Sequence, residues 1–172
     1  LQMHSSQIEQ TPIKEQFKNL IQELGTEVRG ISHSLVPEAF QFGLSRSLEE
    51  LKSELEKTNA ITVELTVQKN AFENFSAANN LLIYRVVQEI VSNVLKHAQA
   101  TLLSIQIKKE DQFYTITIQD NGKGFDTKTI KQSSGIGWKT IDARLQTIKG
   151  NFKENSDSKA TTVTIKITEN NE

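Results

Sequence analysis

Two segments, LLSIQIK at 102–108 and FYTITIQ at 113–119, alternate apolar and polar residues from Leu103 and from Tyr114 onward, and only the charged stretch KEDQ separates them. Alternation with a period of two puts every apolar side chain on one face of an extended strand, so the pair reads as a hairpin with one face to bury. ITVELTV at 61–67 and TTVTIKIT at 161–168 repeat the pattern. A sheet with one apolar face needs a second layer to cover it.

Helical spacing supplies that layer. Leu44, Leu48, Leu51 and Leu55 recur every three or four residues, and Ile141, Leu145 and Ile148 do so before Gly150, which has the place of a helix C-cap. YRVVQEIVSNVLKHAQA at 84–100, filled by Val86, Val87, Ile90, Val91, Val94 and Leu95, predicts a helix over roughly Ala77 to Ala98. NFKENS joins the last helix to the last strand. Elements in this order imply an α+β fold, a two-layer α/β sandwich with helices on one sheet face.

Upstream, Phe17, Ile21, Leu24, Val28, Ile31 and Leu35 recur at alternating spacings of four and three, a heptad seam that follows Pro12, a residue suited to a first helical turn. Such a seam needs a partner helix, in a second protomer or, on the plainer reading, in its own domain. Pro37 and Gly43 interrupt the pattern in LVPEAFQFGL. The chain therefore divides into 1–11, polar, patternless and set aside from the fold, 12–42, the seam helix, and 43–172, the α+β domain.

Charge excludes several partners. The 20 basic and 21 acidic residues leave a net charge of -1, and no segment concentrates Lys and Arg as a nucleic-acid or lipid surface does. No apolar run approaches the ~18 residues that cross a bilayer, so neither nucleic acid nor membrane contact is expected within this chain. With no Cys, and with His4, His33 and His97 scattered, there is no disulfide, thiolate or Cys/His metal spacing.

The apolar helix carries the first chemical signal. Glu89, Asn93, Lys96 and His97 fall at spacings that, at 100° per residue, put all four on one face, with Arg85 a turn earlier. A solvated face would explain them. The residue types also suit a ligand, since Glu and Asn supply the hard oxygen donors Mg²⁺ prefers, and Lys a point charge for phosphate.

Two glycine loops follow. In QDNGKGFD, Asp120 and Asn121 end a strand, and Gly122 and Gly124 let the backbone turn tightly and approach a ligand; Asp-Asn-Gly is equally an ordinary turn. A carboxylate there could accept from an exocyclic amine such as that of adenine. In SSGIGWKTI, Gly135 and Gly137 precede a helix whose N-terminal N–H groups and dipole can hold phosphate. Between the loops, 125–134 is polar and without period, as a short mobile lid would be. His33 reads as a solvated helix residue and Trp138 as packing.

In this order the three pieces resemble the N, G1 and G2 boxes of the ATP-binding domain of sensor histidine kinases, the GHKL or Bergerat fold, in the subfamily with a short ATP lid. YRVVQEIVSNVLKHA is similar to the N box, DNGKGF to G1 and GIGWKTIDARL to G2 with its helix, Trp138 standing where the family commonly has Leu. EVRGISHSLVPEAFQFGLSRSLEEL resembles the end of the second dimerisation helix, so the likeness runs over roughly 15–168.

The resemblance implies roles. Asn93 would ligand Mg²⁺, with Glu89 beside it as metal partner or proton acceptor, and Lys96 would contact phosphate. Asp120 would read the adenine amine, and Gly122, Gly124, Gly135 and Gly137 would bring the backbone close around the lid. KATTVTIKI is similar to the closing Gly-Thr strand, with Ala160 where Gly is usual and Thr161 as the hydroxyl. The family's phosphoacceptor His sits in a Leu-His-Asp type motif that does not occur in this chain. His33 and His97 are not assigned that role.

The function these residues imply is that of a cytoplasmic histidine kinase catalytic domain that binds ATP and Mg²⁺. In a parent protein, membrane-anchored or not, it would phosphorylate a His on a dimerisation helix for relay to a response-regulator Asp. Its partners would be that helix, a second protomer and the response regulator. A GHKL nucleotide-dependent switch and a GHKL ATP hydrolase with Glu89 as base are the alternatives.

Overall fold

The computed structural model describes residues 38–57, 59–72, 75–124, 136–157 and 159–169, which lie in one compact unit, Glu38–Glu172. The heptad seam from Phe17 to Leu35, His33, Gly135 and the expected lid at 125–134 lie outside the described residues.

A 3₁₀ turn, Glu38–Phe42, leads into α1 (Leu44–Glu56), β1 (Thr62–Val67) and α2 (Ala77–Asn93), which runs on into a π-helical turn, Val94–Ala98. Then come β2 (Leu102–Glu110), β3 (Phe113–Asp120), α3 (Ile136–Thr147), β4 (Gly150–Ser156) and β5 (Thr161–Thr168). The five strands form one mixed sheet in the order β1-β2-β3-β5-β4, with β1 parallel to β2 and the other neighbours antiparallel. This is the α+β sandwich expected from the alternating segments.

The alternation fixes which face is covered. Leu103, Ile105, Ile107, Ile116, Ile118, Val163, Ile165 and Ile167 are buried, while Gln106, Lys108, Gln119 and Lys166 on the other face are exposed. The same core takes in Leu44 and Leu48 of α1, Val86, Val87 and Ile90 of α2, and Ile141 and Leu145 of α3. Burial of such side chains contributes ~1.5–3 kcal/mol each, which holds the helical layer on the sheet.

The parallel pair positions the site. Parallel neighbours cannot be joined by a tight turn, so the connection from β1 to β2 crosses the sheet as α2. Ser76 starts that helix by accepting from Asn79 N–H at 3.1 Å. The crossover returns the end of α2 to where β2 begins. Because β3 runs antiparallel to β2, with Leu103 opposite Asp120, β3 ends there too.

Four local expectations are corrected. The α-helix stops at Asn93, and Val94–Ala98 is a π turn. Gly150 is the first residue of β4 and not a cap; the left-handed residue after α3 is Lys149, φ 52°. The site is tight, since a Cβ there would lie 3.2 Å from Ile167 Cγ1 and 3.3 Å from Leu145 Cδ2, and those side chains would have to give by a few tenths of an ångström. NFKENS, left without a strand, is most of β4, an edge strand whose sole apolar residue is Phe152. The KEDQ turn is tighter than expected, because Glu110 pairs with Phe113 and Asp111 takes the left-handed conformation at φ 52°.

Candidate functional site

Three chain segments meet at the end of α2. Glu89 and Asn93 are half-buried on that helix, and the first turn of α3 faces them: a Cβ on Gly137 would sit 2.7 Å from Glu89 Oε1 and 3.8 Å from Asn93 Nδ2. A side chain at 137 would take the space that Glu89 Oε1 uses and would make ordinary contact with Asn93. Glycine there brings backbone, with the N–H groups of a helix start, against a carboxylate and an amide.

The helical step changes beyond Asn93. Through Val94–Ala98 the bonding widens to the π pattern, and Lys96 and His97 stand on that turn. Both are exposed, and so is Leu95 at 48%, which the sequence had placed in the core. Gln99 ends the turn in the left-handed region at φ 55°.

The loop after β3 is strapped to this helix end. Lys123 N–H donates to Ala98 O at 2.9 Å, and Gly122 is buried so closely against Ala98 that a Cβ would overlap its carbonyl oxygen. Asn121 does the turn's work: its Oδ1 accepts from Thr101 N–H and Leu102 N–H, each at 2.9 Å, and its Nδ2 donates to Thr101 Oγ1 at 2.9 Å. Asn121 thus ties the start of β2 to the end of β3, while the ordinary Asx-turn bond of an Asp-Asn-Gly turn is the one from Gly122 N–H to Asp120.

Asp120 is different. It is 3% exposed on the covered face of the sheet, and its Oδ1 accepts from Gly122 N–H at 2.8 Å. The register sets it opposite Leu103 on one side and Thr161 on the other. Burial pushes its carboxyl above the ordinary aspartate range, opposed by the Gly122 N–H and the Thr161 hydroxyl, which both favour the charged form. An ionised carboxylate has about four acceptor positions, so these two donors leave capacity for a further one.

The β4–β5 hairpin completes the surroundings. Thr161 is buried, and its Oγ1 lies 3.0 Å from Ser156 Oγ. Gly124, φ 66°, rests on Ser156 and Asp157, and a Cβ there would overlap Asp157 O. Asp157 Oδ1 accepts from Lys159 N–H at 2.7 Å and Ala160 N–H at 3.1 Å, while Ala160 O takes Asp157 N–H at 3.0 Å. Alanine at 160 is thus held in a closed turn. Ser156 and Asp157 were not among the expected residues, because β4 had no alternation by which to align them with Thr161. Trp138 packs, as expected: its ring stacks on Phe152 at 5.5 Å and 19°.

This geometry has counterparts among known proteins. Residues 78–171, more than half of the chain, match the family described as histidine kinase-, DNA gyrase B-, and HSP90-like ATPase. The chain belongs to this family. Its curated relatives include sensor histidine kinase MctS of Rhizobium johnstonii, 31% identical over 142 residues, which are 80% of this chain and 30% of that protein. They also include the signal transduction histidine-protein kinase/phosphatase DegS of Brevibacillus brevis, 29% identical over 136 residues, 78% of this chain and 34% of that one. The ATPase domain described here therefore spans about a third of the length of these relatives. Its fold is that of the histidine kinase domain of the Erythrobacter litoralis EL346 blue-light activated kinase, with a TM-score of 0.63 at 17% identity over 73% of this chain and 61% of that one.

Membership in a family of ATPases implies ATP binding, and phosphate chemistry of this kind commonly uses a divalent cation. The donors fit one. Among the described residues no group of three or more His, Cys, Asp or Glu could cage a metal, but Mg²⁺ keeps waters and substrate phosphates and needs only one or two protein oxygens. Glu89 and Asn93 offer those. No helix among the described residues is long and apolar enough to cross a membrane.

Proposed function

We propose that this ATPase domain is the catalytic domain of a sensor histidine kinase. It binds Mg-ATP where α2, the Asp120–Gly124 loop and the start of α3 meet, and supplies the γ-phosphoryl group to a His on a dimerisation helix. The observation that carries the reading is Asp120: a carboxylate buried at a strand end, with acceptor capacity unspent, beside a close-packed glycine loop. A buried, incompletely paired carboxylate is costly to a fold and is kept where a ligand completes it.

In this reading Asp120 accepts from the adenine amine, and Gly122 and Gly124 let the loop backbone lie against the base. Asn93 and Glu89 hold Mg²⁺, which supplies neutralisation of the phosphate charge. Gly137, with Gly135 beyond the described residues, brings the α3 N–H groups toward the phosphates. Lys96, exposed at the rim, reaches phosphate as a mobile charge. Thr161 contributes its hydroxyl at the adenine end. Transfer breaks the bond from the γ-phosphorus to the β–γ bridging oxygen and forms one to the imidazole nitrogen, leaving ADP. The domain's part is positioning and charge neutralisation.

The partners proposed are a dimerisation helix, of which residues 12–42 resemble the closing part, a second protomer, and a response regulator whose Asp receives the phosphoryl group. The proposed setting is the cytoplasm. The test combines this chain with a separately made helix bearing the Leu-His-Asp motif and γ-labelled ATP. Label on the helix His is the expected result. Release of labelled phosphate instead would make the domain a hydrolase with Glu89 as base, and binding without either product would make it a nucleotide switch.

A further inference from the structure

Ser156 lies outside every motif by which the site was read, yet it touches two of the site's parts. Its Oγ lies 3.0 Å from Thr161 Oγ1, and a Cβ on Gly124 would come within 2.9 Å of it. The sheet register puts Ser156 opposite Thr161 on one side of β5 and Asp120 opposite Thr161 on the other. The three side chains thus form a row across three strands, on the covered face.

The direction of the hydrogen bonds in this row can be worked out. A hydroxyl has one proton to give. Thr161 stands opposite Asp120 in the β3–β5 register, close enough for its hydroxyl to favour the charged carboxylate, and a carboxylate outcompetes a neutral hydroxyl as acceptor. The Thr161 proton therefore goes to Asp120. For the 3.0 Å contact to be a bond, Ser156 must be its donor. Ala160 O is a second acceptor within reach of Ser156, but at 3.4 Å it is the longer contact.

We propose that Ser156 is a positioning residue for adenine recognition, acting through Thr161 on Asp120. This rests on the nucleotide reading of the site given above. By donating to Thr161, Ser156 fills the acceptor side of that hydroxyl and leaves its proton aimed at Asp120, and chains of this kind strengthen each member. It also fixes where Thr161 Oγ1 stands relative to the carboxylate. Because Gly124 rests on the same side chain, the row registers the loop that would lie against the base. Ser156 need not touch the nucleotide to do this.

The test uses the chain as it exists, titrated by calorimetry with ATP and with ITP, whose 6-oxygen has no proton to donate to Asp120. Ser156→Ala is expected to weaken ATP roughly fivefold, the equivalent of one neutral hydrogen bond, and to leave ITP affinity unchanged. Ser156→Thr, which restores a hydroxyl on a strand that suits a β-branched side chain, is expected to recover ATP affinity. In the nucleotide-free protein, the buried Thr161 hydroxyl proton followed by NMR is expected to exchange faster with solvent in Ser156→Ala than in wild type or Ser156→Thr.

Wild-type ATP affinity in Ser156→Ala overturns the inference. So does an equal weakening of ATP and ITP that Ser156→Thr does not reverse, since that is a general loosening of the hairpin. A wild-type protein that binds neither nucleotide overturns the underlying reading of the site, an outcome distinct from a wild type that binds ATP and a Ser156→Ala variant that binds it equally well.

Discussion

Gly137 and Glu89 occupy one space: a Cβ on the glycine would lie 2.7 Å from the Glu89 Oε1 and 3.7 Å from its Cδ. The nearest atom is the far end of a flexible side chain, which can swing aside at little cost. Gly137→Ala is therefore expected to fold with stability within about 1 kcal/mol of wild type, the Ala being if anything favoured inside a helix. In the proposed site its effect falls on function, because Glu89 would be turned from its place beside Gly137. Mg-dependent ATP affinity is expected to fall about tenfold or more, while melting temperature stays put. A variant that binds normally would show that Glu89 has no part in the site.

The two other described glycines of the site make the opposite case. At Gly122 a Cβ meets Ala98 O and Ala98 Cβ, and at Gly124 it meets Asp157 O, with φ at 66°. Backbone cannot step aside as a carboxylate can. Gly122→Ala and Gly124→Ala are each expected to destabilise the fold, by about 1–3 kcal/mol, in the range of overpacked cores. Urea unfolding of the two variants against Gly137→Ala checks the contrast, and equal midpoints for all three would contradict it.

Asp120→Asn separates binding from stability. In the proposed site it removes the charged acceptor of the adenine amine, which is expected to weaken ATP about 10- to 100-fold. The nucleotide-free fold should gain. The Asp120 carboxyl titrates above its ordinary value when folded, mainly through burial. The folded state therefore holds the proton at pH values where the unfolded chain has lost it, and stability falls as pH rises through that interval. Asparagine has nothing to ionise. The melting temperature of Asp120→Asn minus that of wild type is thus expected to increase with pH just above the ordinary aspartate range and to level off beyond it. A difference that is flat, or that shrinks with rising pH, would refute this account of the site's electrostatics.

How the sequence announces these residues depends on the kind of constraint each obeys. The sheet was legible because one-sided burial writes itself as alternation at Leu103, Ile105, Ile107 and at Ile116, Ile118. β4 was not, because an edge strand has little to bury, and Asn151, Lys153 and Asn155 give its outer face no contrast with Glu154 and Ser156. Asp120, Gly122 and Gly137 were legible as residue types whose chemistry or lack of a side chain is unusual where it stands. Lys96 and His97 stand on a π turn, a change of hydrogen-bond partner that no side-chain pattern records. Ser156 needed the pairing of β4 with β5, and pairing is a property of the folded sheet.

Asn121 carries the last expectation, one of structure without recognition. It closes the strand ends by accepting from Thr101 N–H and Leu102 N–H and donating to Thr101 Oγ1, all at 2.9 Å. These bonds anchor the start of β2 to the end of β3, directly beside Asp120. Asn121→Ala leaves both N–H groups without a protein acceptor, but Asn121 is exposed, so water can replace it in part. The expected cost is about 1–2 kcal/mol, less than for buried groups. Amide exchange at Thr101 and Leu102 should accelerate, while the ratio of ATP to ITP affinity, assigned to Asp120 in the proposed site, should hold. Loss of that ratio in Asn121→Ala would move base recognition from the buried carboxylate to its exposed neighbour.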